Sequence, residues 1–408
     1  MNRRQFLQNS SLFAAATLLP ISSHAWATRT LAQTPNAKRL IVVFLRGAVD
    51  GLNVVVPYRD PAYYQARPKI AIAQPGKNGG ALDLDGQFGL HPALSMLMPL
   101  WQQKQLAFVH ACGSPDQTRS HFDAQYYMET GTPGSKTTPD GWMNRLLAAM
   151  SGRNPIQAVN VGTTMPRILT GKMSVASVST GRTGVTPQAI DRPQVADAFD
   201  QLYRNDDRLS QAYKEGREAR TALLESLSAE MQMANNGAPL PNGFAGDAQK
   251  LARLMVRDPR VELGFMAVGG WDTHINQGAA QGQLARNLTQ LGRGLAALQK
   301  ELGAVYSNTT ILVMSEFGRT VQENGNAGTD HGHGNVMWAL GGKVRGGKVY
   351  GQWQGLSPDR LHEGRDLPVT TDYRAVLSPV LERHLNLDRA KLKQVFPGYT
   401  PDRRIEVV

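Results

Sequence analysis

Five largely apolar runs punctuate the chain, from Arg39 to Leu45, Leu106 to His110, Val261 to Val268, Thr309 to Met314 and Val336 to Leu340. None alternates with polar residues, so each predicts a strand buried on both faces, as in a parallel sheet. Helical spacing fills the intervals. Leu284, Leu288, Leu291, Leu295 and Leu298 mark one face of a helix before the fourth run, and Val376, Leu377, Val380 and Leu381 mark another near the C-terminus. Strands that alternate with helices predict an α/β fold around a central, largely parallel sheet. The stretch from Pro193 to Met233 departs from this pattern. It is highly charged, helix-prone and free of proline after Pro193, and a Gly/Pro/Asn-rich segment from Asn235 to Gly243 ends it. It predicts a helical insertion at about 190–245, able to cover a site or meet a protein partner; a solvated excursion is the plainer alternative. Residues 74–90 and 130–140 read as loops.

The N-terminus carries a different signal. Arg3 and Arg4 precede Gln5, Phe6 and Leu7, an uncharged apolar stretch runs from Leu12 to Ile21, and Ala25-Trp26-Ala27 closes it. Basic, apolar and small residues in that order predict a cleavable signal peptide over residues 1–27, and the paired arginines match the twin-arginine address. The apolar run is too short for a settled span, although a short uncleaved anchor or a buried helix would use the same residues. Residues 28–408 are then the mature domain, expected in the periplasm or secreted. No later stretch is apolar enough to cross a membrane.

Composition narrows the classes. Cys112 is the only cysteine, so the exported domain must rely on its core rather than on an internal disulfide. Lys and Arg number 44 against 33 acidic residues, a net charge of +11. The basic residues are scattered and lack the aromatic-interleaved stripe of a nucleic-acid binder, so no nucleic-acid partner is expected. An anionic small-molecule or polymer ester remains a compatible substrate.

In open α/β sheets ligands bind beyond the carboxyl ends of the strands. The segments bordering the apolar runs are therefore informative: Arg46 to Asn53 after the first, Thr118 to Asp123 after the second, Gly269 to His274 after the third, Ser315 to Thr320 after the fourth, and Thr329 to Gly334 just before the fifth. Carboxylates, imidazoles and hydroxyls from distant segments are what a metal or catalytic site requires. Each has a duller explanation. Asp50 could cap the turn between Gly47 and Gly51, Asp272 could start the next helix, Ser120 fits a capping box, and Glu316 could pair with Arg319. Asp330-His331-Gly332-His333 has the least core to fill. His91, His110, His362 and His384 read as structural, packing or surface histidines.

At Phe44 to Asn53, Arg119 to Gln125, Ser315 to Thr320, Gly328 to Gly334 and Gly346 to Gly351 the chain resembles domain-of-unknown-function family 1501, twin-arginine-exported bacterial proteins of the alkaline phosphatase-like superfamily. The resemblance implies a three-layer sandwich with helices on both faces of the sheet. It also implies a metal-dependent hydrolase of phosphate or sulfate esters, with one or two zinc or manganese ions. Asp50, Asp272, His274, Glu316, Asp330, His331 and His333 form the implied ligand pool. Ser120 is the implied nucleophile, and Arg119 or Arg46 would hold the anionic group. An Asp-His pair expected after one strand falls on Glu316 and Phe317, and phenylalanine cannot ligate a metal. That departure motivates the alternative, a non-catalytic periplasmic or surface-assembly protein that retains the fold.

Overall fold

A computed structural model describes residues 37–150, 156–178, 232–400 and 405–408. The signal peptide expected at 1–27 and most of the insertion expected at about 190–245 lie outside the described residues.

The first apolar run forms β1 (Arg39–Leu45), all seven residues of it buried. Successive side chains of a strand point to opposite faces, so a run without polar positions needs a core on each side. Ile41, Val43 and Leu45 enter one core, and Leu40, Val42 and Phe44 enter the other. The remaining predicted runs form β2 (Leu106–Gly113), β5 (Leu263–Val268), β6 (Thr309–Ser315) and β7 (Asn335–Gly341). Shorter strands complete the sheet: β3 (Ala158–Val161), β4 (Ala176–Val178), β8 (Lys348–Tyr350) and β9 (Thr371–Asp372). They escape a sequence pattern because two to four residues carry no readable period.

The strand order is β8-β2-β7-β6-β1-β5-β3-β4, with β9 paired to β2. Every pairing is parallel except those of β7, which runs antiparallel to both β2 and β6. The fold is therefore α/β with a mixed, mostly parallel sheet. The reversal of β7 has a direct consequence. Its N-terminal end lies on the same sheet edge as the carboxyl ends of β1, β2, β5 and β6, so the loop entering β7 joins the loops leaving the other strands.

Helices cover both faces. His121–Thr130 (α1), Trp142–Ala149 (α2), Tyr373–Pro379 (α5) and Arg389–Val395 (α6) contribute Met128, Trp142, Leu146, Val376, Leu377 and Val395 to the core around Val42. Phe244–Arg257 (α3) and Gln283–Leu302 (α4) cover the opposite face. The five leucines expected on one face of α4 are all fully buried. No helix of the described residues is long and apolar enough to cross a membrane.

Candidate functional site

The loops at the carboxyl edge approach one another closely, and two glycines permit it. Gly47, with φ of +106°, passes so near the β5 loop that a Cβ there would lie 2.7 Å from the backbone nitrogen of Asp272. A Cβ on Gly318 would lie 1.8 Å from the carbonyl oxygen of Gly334. Ala48 also adopts a left-handed conformation, φ 59°. This turn donates the Gly47 N–H to Glu316 Oε1 at 2.7 Å and aims the Gly47 and Ala48 carbonyls at the Arg319 guanidinium, at 2.7 Å each.

Arg319 is the knot of the edge. It is fully buried and also binds the carbonyls of Thr329 and Trp271 and the Oδ1 of Asp272. It thus ties the loops after β1, β5 and β6 to the loop entering β7. The Glu316–Arg319 pair allowed by the sequence does not form; Arg319 takes Asp272 instead. Nor does Asp272 start a helix, because α4 begins only at Gln283.

Around Asp272 Oδ1 stand three imidazoles. His274 Nε2 lies 2.9 Å away, His331 Nε2 3.3 Å and His121 Nε2 3.5 Å. His331 Nε2 is 3.0 Å from the Nε2 of both His121 and His274. The other ring nitrogen of each histidine faces an oxygen: His121 Nδ1 the Oε1 of Glu316 at 2.8 Å, His274 Nδ1 the Oδ1 of Asp330 at 3.2 Å, and His331 Nδ1 the carbonyl of Arg119 at 2.9 Å. A carboxylate or carbonyl only accepts, so in a ring that binds a metal through Nε2 these partners would keep the proton on Nδ1. Each Nε2 would then turn a lone pair toward Asp272 and the neighbouring ring. Lone pairs and a carboxylate oxygen packed at about 3 Å repel unless a proton or a metal ion stands among them. His121, Asp272 and His331 offer ligand atoms within 4.8 Å of one another, and Asp272 Oδ2 is buried with no hydrogen-bond partner. The donor set therefore fits a metal ion, with anchored histidines of the kind metal sites use.

The electrostatics agree. Burial opposes ionisation of Asp272, but Arg319 and the three imidazoles hold its carboxyl far below the usual range. Burial likewise opposes the charge on Glu316, and hydrogen bonds from His121 and Gln125 bring it down to about 2. Against desolvation, Asp272 and Glu316 raise His121 to about 9. The cluster draws positive charge to His121, and a metal and a proton compete there.

Five predicted residues thus meet: Asp272, His274, Glu316, Asp330 and His331. Glu316 and Asp330 hold imidazoles from behind. Asp50 stands in a separate buried network, its Oδ2 taking Arg67 Nη1 at 2.6 Å and Gln277 Nε2 at 2.7 Å. His333 stacks on His362, ring centroids 4.7 Å apart. Arg46 is buried against Glu129 at 2.5 Å and Gln125, and Gln125 in turn donates to Glu316 at 2.9 Å. The Arg119 side chain binds Asp366 at 2.8 Å and Glu363 at 2.5 Å, while its carbonyl serves His331. Ser120 is exposed and caps α1, accepting the Asp123 N–H at 3.5 Å.

Sequence reasoning missed His121. Its place right after a capping serine reads as a helix start, and only its proximity to Phe317 reveals more. The two rings lie 4.8 Å apart, and Phe317 packs beside both His121 and His331.

A family model described as "Protein of unknown function (DUF1501)" matches residues 37–396. The chain belongs to the DUF1501 family. The match takes in every member of the histidine cluster. No curated protein matches the sequence. Among solved structures, this DUF1501 chain is similar to Ps i-CgsB, with TM-score 0.43 and 11% identity over 89% of this chain and 74% of that one. It is also similar to the C-terminal periplasmic domain of EcEptC from Escherichia coli, with TM-score 0.39 and 10% identity over 90% and 89% of the two chains. The lipoteichoic acid synthase LtaP from Listeria monocytogenes gives TM-score 0.38 and 9% identity over 88% and 74%.

Proposed function

We propose that this DUF1501 protein is an exported metal-dependent hydrolase of phosphate or sulfate esters. One observation carries the reading: three imidazoles, each with its Nδ1 anchored to an oxygen, turn their Nε2 atoms around the buried Asp272 carboxylate. His121, His274, His331 and Asp272 would hold the ion, and nitrogen donors with one carboxylate favour zinc, with manganese second. When bound, the ion supplies Lewis acidity and lowers the pKa of an oxygen nucleophile.

The remaining roles belong to the chain's own residues. Ser120 is the nucleophile in this reading. It is flanked by His121, a member of the cluster, and by Arg119, whose carbonyl orients His331. It is exposed to an incoming ester, and the N-terminus of α1 favours an anionic group beside it. The Arg46 guanidinium is committed to Glu129, so its part is to position Gln125 and through it Glu316. The twin-arginine leader would deliver the domain already folded, with its ion in place, to the periplasm.

The test uses purified mature protein. Elemental analysis should find stoichiometric zinc or manganese, and chelation should abolish turnover of an aryl phosphate or aryl sulfate. Ser120→Ala should abolish turnover and keep the metal. Protein that contains no metal and takes none up on reconstitution would refute the proposal, and turnover retained in Ser120→Ala would remove that residue from the mechanism.

A further inference from the structure

Two aspartates lie just beyond parallel strands at the carboxyl edge, and their surroundings differ in kind. Asp272 has three imidazoles beside it. Asp50 has a guanidinium. Arg67 Nη1 meets Asp50 Oδ2 at 2.6 Å with both side chains at 0% exposure. Arg67 is held there by the carbonyl oxygens of Val321 and Thr320 at 2.8 Å each and by Asn53 Oδ1 at 2.7 Å. The same Asp50 oxygen accepts from Gln277 Nε2, and Gln277 Oε1 in turn takes the hydroxyls of Thr273 and Thr329. Asp50 is thus joined to the edge loops through neutral groups.

From these contacts we infer that the centre holds a single divalent ion, and that Arg67 occupies the place of a second cation on Asp50. The inference rests on the metal-site reading of the histidine cluster and adds the number of ions and the role of Asp50. Charge supports it. Asp50 and Arg67 cancel. Around the histidines stand the carboxylates Asp272, Glu316 and Asp330, and among the described residues Arg319 is the one guanidinium that binds any of the three. With the imidazoles neutral, as ligands must be, three carboxylates against one guanidinium leave two negative charges, which one divalent ion neutralises. A second ion at Asp50 would place uncompensated positive charge beside a buried guanidinium, at high cost in a low-dielectric interior.

Ligand supply supports it as well. Asp50 Oδ1 is buried without a hydrogen-bond partner, so one oxygen is available there. Among the described residues no imidazole nitrogen binds it. His91, close enough for Asp50 to act on its charge, spends Nδ1 on the Ala93 N–H at 3.0 Å and Nε2 on the Ala279 carbonyl at 3.1 Å. A lone carboxylate oxygen facing a guanidinium makes a poor site for a transition metal.

Stoichiometry decides the matter. Full-length mature protein stripped by chelator would be titrated with Zn²⁺ against a chromophoric competitor, and bound metal counted by elemental analysis after gel filtration. We expect one tight equivalent per chain. The paired substitution Asp50→Asn with Arg67→Gln removes both charges and keeps hydrogen-bonding groups; it should retain the one equivalent, with circular dichroism confirming the fold. His331→Ala should weaken that equivalent by about 100-fold or more. Two tight equivalents in the wild type, reduced to one by the paired substitution, would overturn the single-ion assignment and leave the hydrolase reading intact. No tight equivalent at all would overturn both.

Discussion

Each imidazole of the cluster is held by an oxygen behind it, and single substitutions there separate orientation from packing. Glu316 receives His121 Nδ1, the Gly47 N–H and Gln125 Nε2 on one carboxylate oxygen. Glu316→Gln keeps the volume and removes the charge. It should weaken metal binding by about 10–100-fold, as loss of a histidine-anchoring carboxylate does elsewhere, measured by chelator competition. Unchanged affinity would mean that Glu316 serves packing alone. Individual residue types were legible in the sequence at this scale: the Asp-His-Gly-His loop and the Asp-Thr-His segment declare themselves. Their division of labour was not. Asp330 and Glu316 are carboxylates like Asp272, yet they touch Nδ1 atoms while Asp272 touches Nε2 atoms, and no linear spacing records which ring nitrogen an oxygen meets.

At the scale of elements the site is an assembly of loops, and Arg319 joins them. Its guanidinium satisfies carbonyls from Gly47, Ala48, Trp271 and Thr329 together with Asp272. Arg319→Met would take the guanidinium from the buried Asp272, leaving it only the imidazoles, and strip four carbonyls of their donor, so a loss of about 3–5 kcal/mol is expected, read from urea unfolding of the metal-free protein. A loss below about 1 kcal/mol would show that the loops hold together without it. The same scale explains an expectation that needed three dimensions to resolve. Asp330 and His331 precede a strand rather than come after one, a position that a uniformly parallel sheet would put at the opposite edge from the other loops. Because β7 is antiparallel to β2 and β6, its beginning lies where the other strands finish. The apolar run of β7 reads the same in either direction, since a doubly buried strand carries no mark of its polarity.

For the whole molecule, buried histidines away from the cluster set the acid limit. His91, His110 and His384 are buried, and desolvation lowers each to about 4. His110 shows why: Nε2 donates to the Val55 carbonyl at 2.9 Å and Nδ1 accepts the Ala111 N–H at 3.1 Å, so a second proton has no acceptor. In the unfolded chain histidine takes up its proton near pH ~6.5. As pH falls, the unfolded state therefore binds protons first. The stability these residues contribute is complete above that value and is lost progressively as pH falls toward 4, by up to about 3 kcal/mol for each histidine. The melting temperature should decline over this window, and His110→Gln should flatten the decline. A melting temperature independent of pH across it would contradict the assignment. The apolar runs and the leucine face of α4 determined by themselves that this chain folds as helices over a doubly buried sheet, because burial follows from local periodicity. The meeting of His121 with His274 and His331, the capture of Asp50 by Arg67 and the direction of β7 were decided only by tertiary structure. They depend on which distant loops come into contact, and that proximity is written nowhere along the chain.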